Sequence, residues 1–120
     1  MEKDIVRQES FDFALRVIDV YQFLQKGKKE FVLSRQMLRS GISVGANIVE
    51  ATSSISKAEF SAKISIAYRE ARETCYWLRI LFHGSYLNET TFASMFVSSD
   101  ELCKLLYSIL KSSGRINKQG

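Results

Sequence analysis

The sequence of 120 residues contains no proline, and its middle third carries one long helical repeat. Small or apolar residues between Phe60 and Leu81 return at alternating intervals of four and three, which places them along one side of a helix. Ser56 and Glu59 precede the repeat as a capping box, and Gly84 provides a natural stop. The pattern predicts a helix of about 28 residues and about 40 Å, a length that favours an elongated antiparallel bundle.

Three further helices are predicted from similar patterns. The first covers residues 11–25, with Ser10 as its N-cap and Gly27 as its C-terminal stop. The second starts between residues 30 and 34, and the fourth opens near Asn88 and Thr90 and ends at Gly114. We expect an all-α fold, an antiparallel up-and-down four-helix bundle. Residues 1–120 would form a single domain, with a mobile C-terminal tail at about residues 114–120.

Composition excludes several classes of protein. Hydrophobic residues make up 46% and charged residues 25% of the chain, which are ordinary values for a globular domain and count against disorder. The two cysteines and the single histidine lack CxxC or HxxxH spacing, so we expect no metal and no other cofactor. The sequence has no signal peptide and no apolar run that could span a bilayer. We therefore expect a cytoplasmic protein with reduced thiols and no membrane partner.

The second helix contains two glycines one turn apart, Gly41 and Gly45. Each costs a helix about 1 kcal/mol relative to alanine, so we expect a neighbouring helix to approach closely there. A phosphate-binding loop is excluded because no GK[ST] follows and both glycines lie within the helix. The apolar side of this helix is predicted to comprise Leu33, Met37, Gly41, Val44, Ile48 and Ile55.

A polar line runs beside that apolar side: Ser40, Ser43, Asn47, Glu50 and Ser54. Spacings of three and four stack these residues on one flank, where they could bond across helices or face a hydrated contact between subunits. As a catalytic pair, Asn47 and Glu50 have no nucleophile or second acid nearby. With one histidine and no convergent carboxylates in the sequence, we do not expect an enzyme.

A basic stripe marks the side of the third helix away from its seam. Its members recur at three and four: Arg69, Arg72, Tyr76, Arg79 and His83. Arginine binds phosphate through its planar fork, and tyrosine can stack on an unpaired base, so the stripe is a candidate nucleic-acid site. A solvated helix face or a subunit contact remains the alternative, because Glu70 and Glu73 lie among the arginines.

Additional cations could extend this site. Arg35 and Arg39 lie on the second helix, and no acidic residue follows Glu101. The chain therefore has a basic C-terminal end, made of Lys104, Lys111, Arg115 and Lys118. These charges could contact phosphates or could serve solubility and the helix dipole.

The sequence has more apolar surface than one four-helix core would bury. In the first helix the polar residues Asp12, Arg16, Asp19 and Gln22 form only a narrow stripe, and the rest is apolar. Trp77 lies on yet another side of the third helix. Since soluble proteins usually cover such patches by association, we expect a homo-oligomer.

The chain resembles the bacterial four-helix bundle family encoded by intervening sequences in large-subunit ribosomal RNA, which is similar to the accessory variability protein of diversity-generating retroelements. The second-helix pattern of that family is met by Gln36, Met37, Arg39, Ser43, Val44, Ala46, Asn47, Ile48, Glu50 and Ala51. The third-helix pattern is met by Lys57, Glu59, Phe60, Ala67, Glu70, Ala71, Glu73, Trp77 and Leu78, with Tyr86 and Leu87 at the turn. Leu38 and Gly45 depart from it, at positions where an arginine and a proline are common.

The resemblance implies an antiparallel bundle that assembles into a ring-like homopentamer, with nucleic-acid binding suspected and no catalytic residues to transfer. We therefore expect a non-enzymatic oligomer that binds RNA or DNA weakly and without sequence specificity, as an accessory factor. The proposed contacts are Arg35, Arg39, Arg69, Arg72 and Arg79, and a structural role is expected for Ser43, Asn47 and Glu50. The alternative is a protein-interaction scaffold that recruits a protein partner and binds no nucleic acid.

Overall fold

The computed structural model describes residues 2–113, which contain four α-helices and no strand. The helices are α1 (Glu2–Lys28), α2 (Leu33–Thr52), α3 (Lys57–His83) and α4 (Glu89–Ser112). They pack in the ring order α1–α2–α3–α4, and α4 returns to α1. The connections that join them are short, comprising residues 29–32, 53–56 and 84–88. Connections of this length make neighbouring helices antiparallel, so the predicted all-α four-helix bundle is confirmed.

The bundle is elongated, with extents of 44 × 29 × 23 Å. Its core takes the seam predicted for α3, because Ile64, Ala67, Ala71, Leu78 and Leu81 are all buried. Phe60, at the start of that seam, is only partly buried against the core. None of the helices within residues 2–113 combines the length and the hydropathy that crossing a bilayer requires.

The predicted boundaries of α1 are wrong at both ends. The helix begins at Glu2 rather than at residue 11, and Ser10 is a buried residue within it whose hydroxyl donates to the Arg7 carbonyl at 2.9 Å. Acidic residues in the first turn favour this early start because they interact well with the helix dipole. The Val6 side chain, which is only 1% exposed, packs these additional turns against the core. Gly27 lies inside the helix, which ends at Lys28.

The start of α2 is capped by a carboxylate that sequence patterns did not identify. The Glu30 side chain accepts backbone N–H bonds from Val32 at 3.0 Å, Leu33 at 2.8 Å and Ser34 at 2.7 Å. Burial works to raise the pKa of the Glu30 carboxyl, but these bonds outweigh it and lower that pKa below its usual value. One side chain therefore satisfies three of the donors that a helix N-terminus leaves open.

The ends of α3 are fixed by local hydrogen bonds. Ser56 accepts from the Glu59 N–H at 3.1 Å, as expected of the N-cap of a capping box. At the other end Tyr86 N–H donates to Leu81 at 2.8 Å and Ser85 N–H donates to Phe82 at 3.0 Å, which is the Schellman arrangement. Ser85 has a φ of 71°, so the left-handed position of this motif holds a serine rather than a glycine.

Asn88 caps α4 by accepting the Thr91 N–H at 2.7 Å, which places the start of this helix where it was predicted. The helix ends at Ser112, and the predicted stop at Gly114 and the predicted tail at residues 114–120 lie outside the described residues.

Ile55 was assigned to the apolar side of α2, and that prediction is wrong. The helix ends at Thr52, so Ile55 lies in the following connection and is 94% exposed.

The two glycines of α2 mark its contact with α1. A Cβ placed on Gly41 would lie 2.9 Å from Val17 Cγ2, and one placed on Gly45 would lie 3.4 Å from Ser10 Oγ. The close approach of a neighbouring helix that the glycines predicted is therefore confirmed. At Gly41 this approach offsets the poor helix propensity by packing against the fully buried Val17, and at Gly45 the neighbour is the buried Ser10.

Candidate nucleic-acid interface

The basic stripe of α3 lies on the outside of the bundle. Its five members are all exposed: Arg69, Arg72, Tyr76, Arg79 and His83. Tyr76 is 52% exposed and packs edge-on against Trp77 with ring centroids 5.1 Å apart. Within residues 2–113, none of the three arginines forms a salt bridge. Their guanidinium groups are therefore available to an anionic ligand.

Part of the stripe borders a groove between α3 and α4 with a volume of about 280 Å³. Its lining consists of Arg72, Cys75, Tyr76, Arg79, Phe96 and Asp100. The Asp100 carboxylate accepts from Lys104 at 3.2 Å, so a lysine one turn away balances much of the acidic charge that α4 contributes here. The groove thus combines two cationic forks with two aromatic rings, groups that suit phosphate and an unpaired base.

Arg39 is held differently from the arginines of the stripe. It forms salt bridges with Glu70 at 3.0 Å and with Glu73, and Glu73 also accepts from Trp77 Nε1 at 2.8 Å. These two glutamates therefore point toward α2, where they neutralise Arg39, and not toward the groove. The sequence could not predict that the two glutamates pair with Arg39 of α2, because this depends on which helix packs on which flank of α3.

The structure consequently divides the five predicted arginines. Arg69, Arg72 and Arg79 follow the outer side of α3, whereas Arg35 and Arg39 lie on α2. Arg35 is exposed and has no ion pair among the described residues. The basic C-terminal end is only partly described: Lys104 and Lys111 are exposed on α4, and Arg115 and Lys118 lie outside residues 2–113.

The polar line of α2 is engaged in hydrogen bonds. Asn47 Nδ2 donates to the Ser43 carbonyl at 2.9 Å and to the Ser43 hydroxyl at 3.0 Å. Glu50 pairs with Lys63 of α3 at 2.7 Å, and that hydrogen bond raises the pKa of Lys63. Deeper in the bundle, the Thr74 hydroxyl of α3 donates to Ser40 at 2.8 Å. These bonds connect α2 with itself and with α3.

The two thiols of the chain lie on the neighbouring helices α3 and α4, and Cys75 contacts α4 by donating to Ser99 Oγ at 3.2 Å. Cys75 is partly exposed and lines the groove, and Cys103 is buried at 5% exposure. They are 28 positions apart in the sequence and share no motif, so only the pairing of the helices relates them. No group of three or more histidine, cysteine or acidic side chains that could hold a metal occurs within residues 2–113.

Apolar side chains remain exposed on the outer side of the α1–α2 pair. Phe11 and Leu15 of α1 are 60% and 50% exposed, and Ile42 and Val49 of α2 are 38% and 57% exposed. We call these four residues the α1–α2 apolar surface. Trp77, expected to add to the exposed surface, is only partly exposed and packs against the core.

The comparisons with known proteins agree with this architecture. Residues 2–108 match the model of the family described as 23S rRNA-intervening sequence protein. No curated protein matches the chain. The bundle is similar to the crystal structure, at 1.70 Å resolution, of a protein with unknown function from the S23 ribosomal protein family of Bacteroides thetaiotaomicron VPI-5482. The two are 45% identical with a TM-score of 0.91, over 92% of this chain and 99% of that one. With a matching family model over most of its length, the chain belongs to the 23S rRNA-intervening sequence protein family.

Proposed function

We propose that the protein is a non-enzymatic, cytoplasmic accessory factor that assembles with itself and binds RNA or DNA weakly and without sequence specificity. The observation that carries this proposal is the set of exposed, unpaired arginines on α3, with Tyr76 among them. Arginine forks bind phosphate oxygens, and an aromatic ring stacks on any base, so neither contact depends on sequence.

Self-association is the second part of the proposal. The α1–α2 apolar surface supports it, because it adds four large exposed apolar side chains to two neighbouring helices, and soluble proteins usually cover such side chains by association. We propose a homopentamer, the assembly that the family resemblance implies. Three arginines per subunit bind weakly, whereas several linked copies raise the effective concentration of the site and add avidity.

The test is fluorescence anisotropy with single-stranded RNA, duplex RNA and duplex DNA over a range of salt concentrations. Affinity should fall steeply with salt, because each neutralised phosphate releases condensed counterions. Reversing the charge of Arg72 and Arg79 (Arg72→Glu, Arg79→Glu) should flatten the logarithmic salt slope by about 0.7 to 0.9 for each phosphate that the variant no longer neutralises.

Lys26→Glu combined with Lys28→Glu is the matched control, because it makes the same change of net charge at exposed lysines in the last turn of α1, outside the stripe. It should leave the salt slope close to that of the parent. Native mass spectrometry checks that the assembly survives in each variant. Absence of binding to all three probes at low salt, or an unchanged slope in the charge-reversal variants, would overturn the nucleic-acid proposal.

A protein-interaction scaffold is the second candidate function. The exposed Phe11 and Leu15 favour it, with the exposed carboxylate of Asp12 between them on α1. A purified oligomer whose ultraviolet absorbance ratio is that of pure protein before and after a high-salt wash would favour this alternative. A ratio that falls toward the protein value after the wash would favour nucleic acid.

A further inference from the structure

A second line of aromatic and charged side chains runs along α4, next to the basic stripe of α3. Its members recur at intervals of four and three, which places them on one flank of the helix. We call this line the α4 stripe: Phe96, Asp100, Lys104, Tyr107 and Lys111. Its first two members line the groove between α3 and α4, and the ring centroid of Tyr107 lies 5.9 Å from that of Tyr68 on α3. The α4 stripe therefore follows the contact between the two helices.

Beyond the groove, the α4 stripe borders an open depression of about 340 Å³. The lining of this depression includes Lys104, Tyr107 and Lys111. A salt bridge of 3.2 Å joins the two features, because Asp100 lines the groove and its partner Lys104 lines the depression. From Phe96 to Lys111 the helix rises by about 22 Å. The groove and the depression are therefore continuous, and we call them together the α3–α4 track.

The α3–α4 track is positively charged. Arg72 and Arg79 contribute from α3 and Lys111 contributes from α4, and none of the three forms a salt bridge within residues 2–113. Among the residues that line the track, the one carboxylate is that of Asp100, which is paired with Lys104. Cations spread over such a length suit a polyanion better than a single phosphate group.

Two aromatic rings in the groove determine which polyanion fits. Tyr76 is 52% exposed, and Phe96 is partly exposed. Phe96 packs on Phe92 with ring centroids 5.4 Å apart, and Phe92 stacks on Phe82 at 4.4 Å, so the Phe96 ring is held in place without a ligand. An aromatic side chain stacks on a base whose face is free, whereas the faces of paired bases are covered by their neighbours in the duplex.

We propose that the α3–α4 track binds single-stranded nucleic acid in preference to duplexes. Unpaired bases stack on Tyr76 and Phe96 in the groove, and the phosphates of the same strand follow the α4 stripe to Lys111. A stacked strand, whose phosphates are about 3.4 Å apart, covers the track of about 22 Å with about six or seven nucleotides. A duplex contacts the cations alone. This inference rests on the proposed nucleic-acid binding, to which it adds a ligand class and a second cluster of contacts on α4.

Fluorescence anisotropy of the full chain tests this preference at one salt concentration. The probes are single strands without internal pairing and blunt duplexes with the same total number of nucleotides, each made as RNA and as DNA. Single strands should bind at least about fivefold more tightly, since one stacked base contributes at least about 1 kcal/mol. The preference should appear with RNA and DNA alike, because both present base faces and phosphates. This comparison requires no variant.

Tyr76→Ala tests the contribution of the ring. It should weaken the binding of single strands by about fivefold or more and leave the binding of duplexes unchanged, because only single strands stack on this ring. Tyr76→Phe is the matched control, since it keeps the ring and removes only the hydroxyl. It should bind both kinds of probe as the parent does.

Lys111→Gln tests the α4 end of the track. It should reduce the logarithmic salt slope for single strands by about 0.7, the value for one phosphate that is no longer neutralised. Lys26→Gln removes the same charge in the last turn of α1, at an exposed position outside the track, and should leave the slope unchanged.

The inference is overturned if duplexes bind the parent as tightly as single strands, or if the preference is confined to RNA or to DNA. It is also overturned if Tyr76→Ala weakens the binding of both kinds of probe equally, or if Lys111→Gln and Lys26→Gln have the same salt slope. In each of these cases nucleic acid still binds, so the proposed function stands. Absence of binding to every probe at low salt is a different outcome, which removes the proposed function and this inference together.

Discussion

Adding a methyl group should have opposite effects on stability at the two glycines of α2. It should destabilise the fold at Gly41 and stabilise it at Gly45. Gly41→Ala places its Cβ 2.9 Å from Cγ2 and 3.0 Å from Cγ1 of Val17, a β-branched side chain with 0% exposure and no room to rotate away. Gly45→Ala meets Ser10 Oγ at 3.4 Å, an ordinary van der Waals contact. The two positions are one turn apart in one helix, so each variant is the control for the other.

The magnitudes follow from two opposing terms. Replacing glycine by alanine inside a helix gains about 1 kcal/mol in propensity. Overpacking a rigid core costs about 1 to 3 kcal/mol, and this applies only to Gly41→Ala. We therefore expect Gly45→Ala to raise the free energy of unfolding by up to about 1 kcal/mol, and Gly41→Ala to lower it by up to about 2 kcal/mol.

Urea denaturation followed by helical circular dichroism, at one fixed protein concentration, measures both effects. Combining Gly41→Ala with Val17→Ala removes the two γ-carbons that obstruct the new methyl group. The double-mutant cycle should then show a favourable coupling of about 1 kcal/mol or more. The reasoning fails if Gly41→Ala is as stable as Gly45→Ala, or if the cycle shows no coupling.

Three further predictions concern the core, a turn and a cap. Leu78→Ala should cost about 2 to 5 kcal/mol in urea denaturation, because Leu78 has 0% exposure, and a cost near zero would contradict its burial. Ser85→Gly should raise the thermal midpoint by relieving about 1 kcal/mol of left-handed strain at a φ of 71°, and an unchanged midpoint would argue against that strain. Glu30→Gln should lower the stability by about 1 kcal/mol at neutral pH and weaken its acid dependence. Because the pKa of Glu30 is lowered in the fold, its contribution is complete above the unfolded value and is lost as pH falls through the folded one. Equal pH profiles for parent and variant would refute this linkage.

The parts of the fold that the sequence predicts best are those encoded within a single helix. The repeat from Phe60 to Leu81 and the cap at Ser56 identified α3 almost to the residue, since periodicity and capping are local. The start of α1 was missed because residues 2–9 are mostly polar, and the packing of Val6 in the core, a tertiary contact, extends the helix there. The cap at Glu30 was missed because glutamate is not a typical N-cap residue.

In the candidate site, too, the features encoded within one helix were predicted and those that depend on tertiary contacts were missed. Spacing alone placed Arg69, Arg72 and Arg79 on one outer side of α3, and the structure has them exposed there. Spacing could not reveal that Glu70 turns toward Arg39, or that Cys75 donates to Ser99 of α4. Both depend on which helices are neighbours in the ring. Patterns within one helix therefore identify candidate surfaces, whereas the partners of each side chain need the tertiary arrangement.

The ring order of the helices has a consequence for how the chain folds. Within residues 2–113, three of the four helix pairs join helices that are consecutive in the chain, and only α1 with α4 brings distant segments together. Short loops cost little entropy to close, so the consecutive pairs can form early and fast. The pairing of α1 with α4, where Arg16 reaches Ser98 at 2.7 Å, must then wait for the longest loop closure. The last step of folding should be the docking of these two outermost helices, and destabilising it should slow folding less than it speeds unfolding.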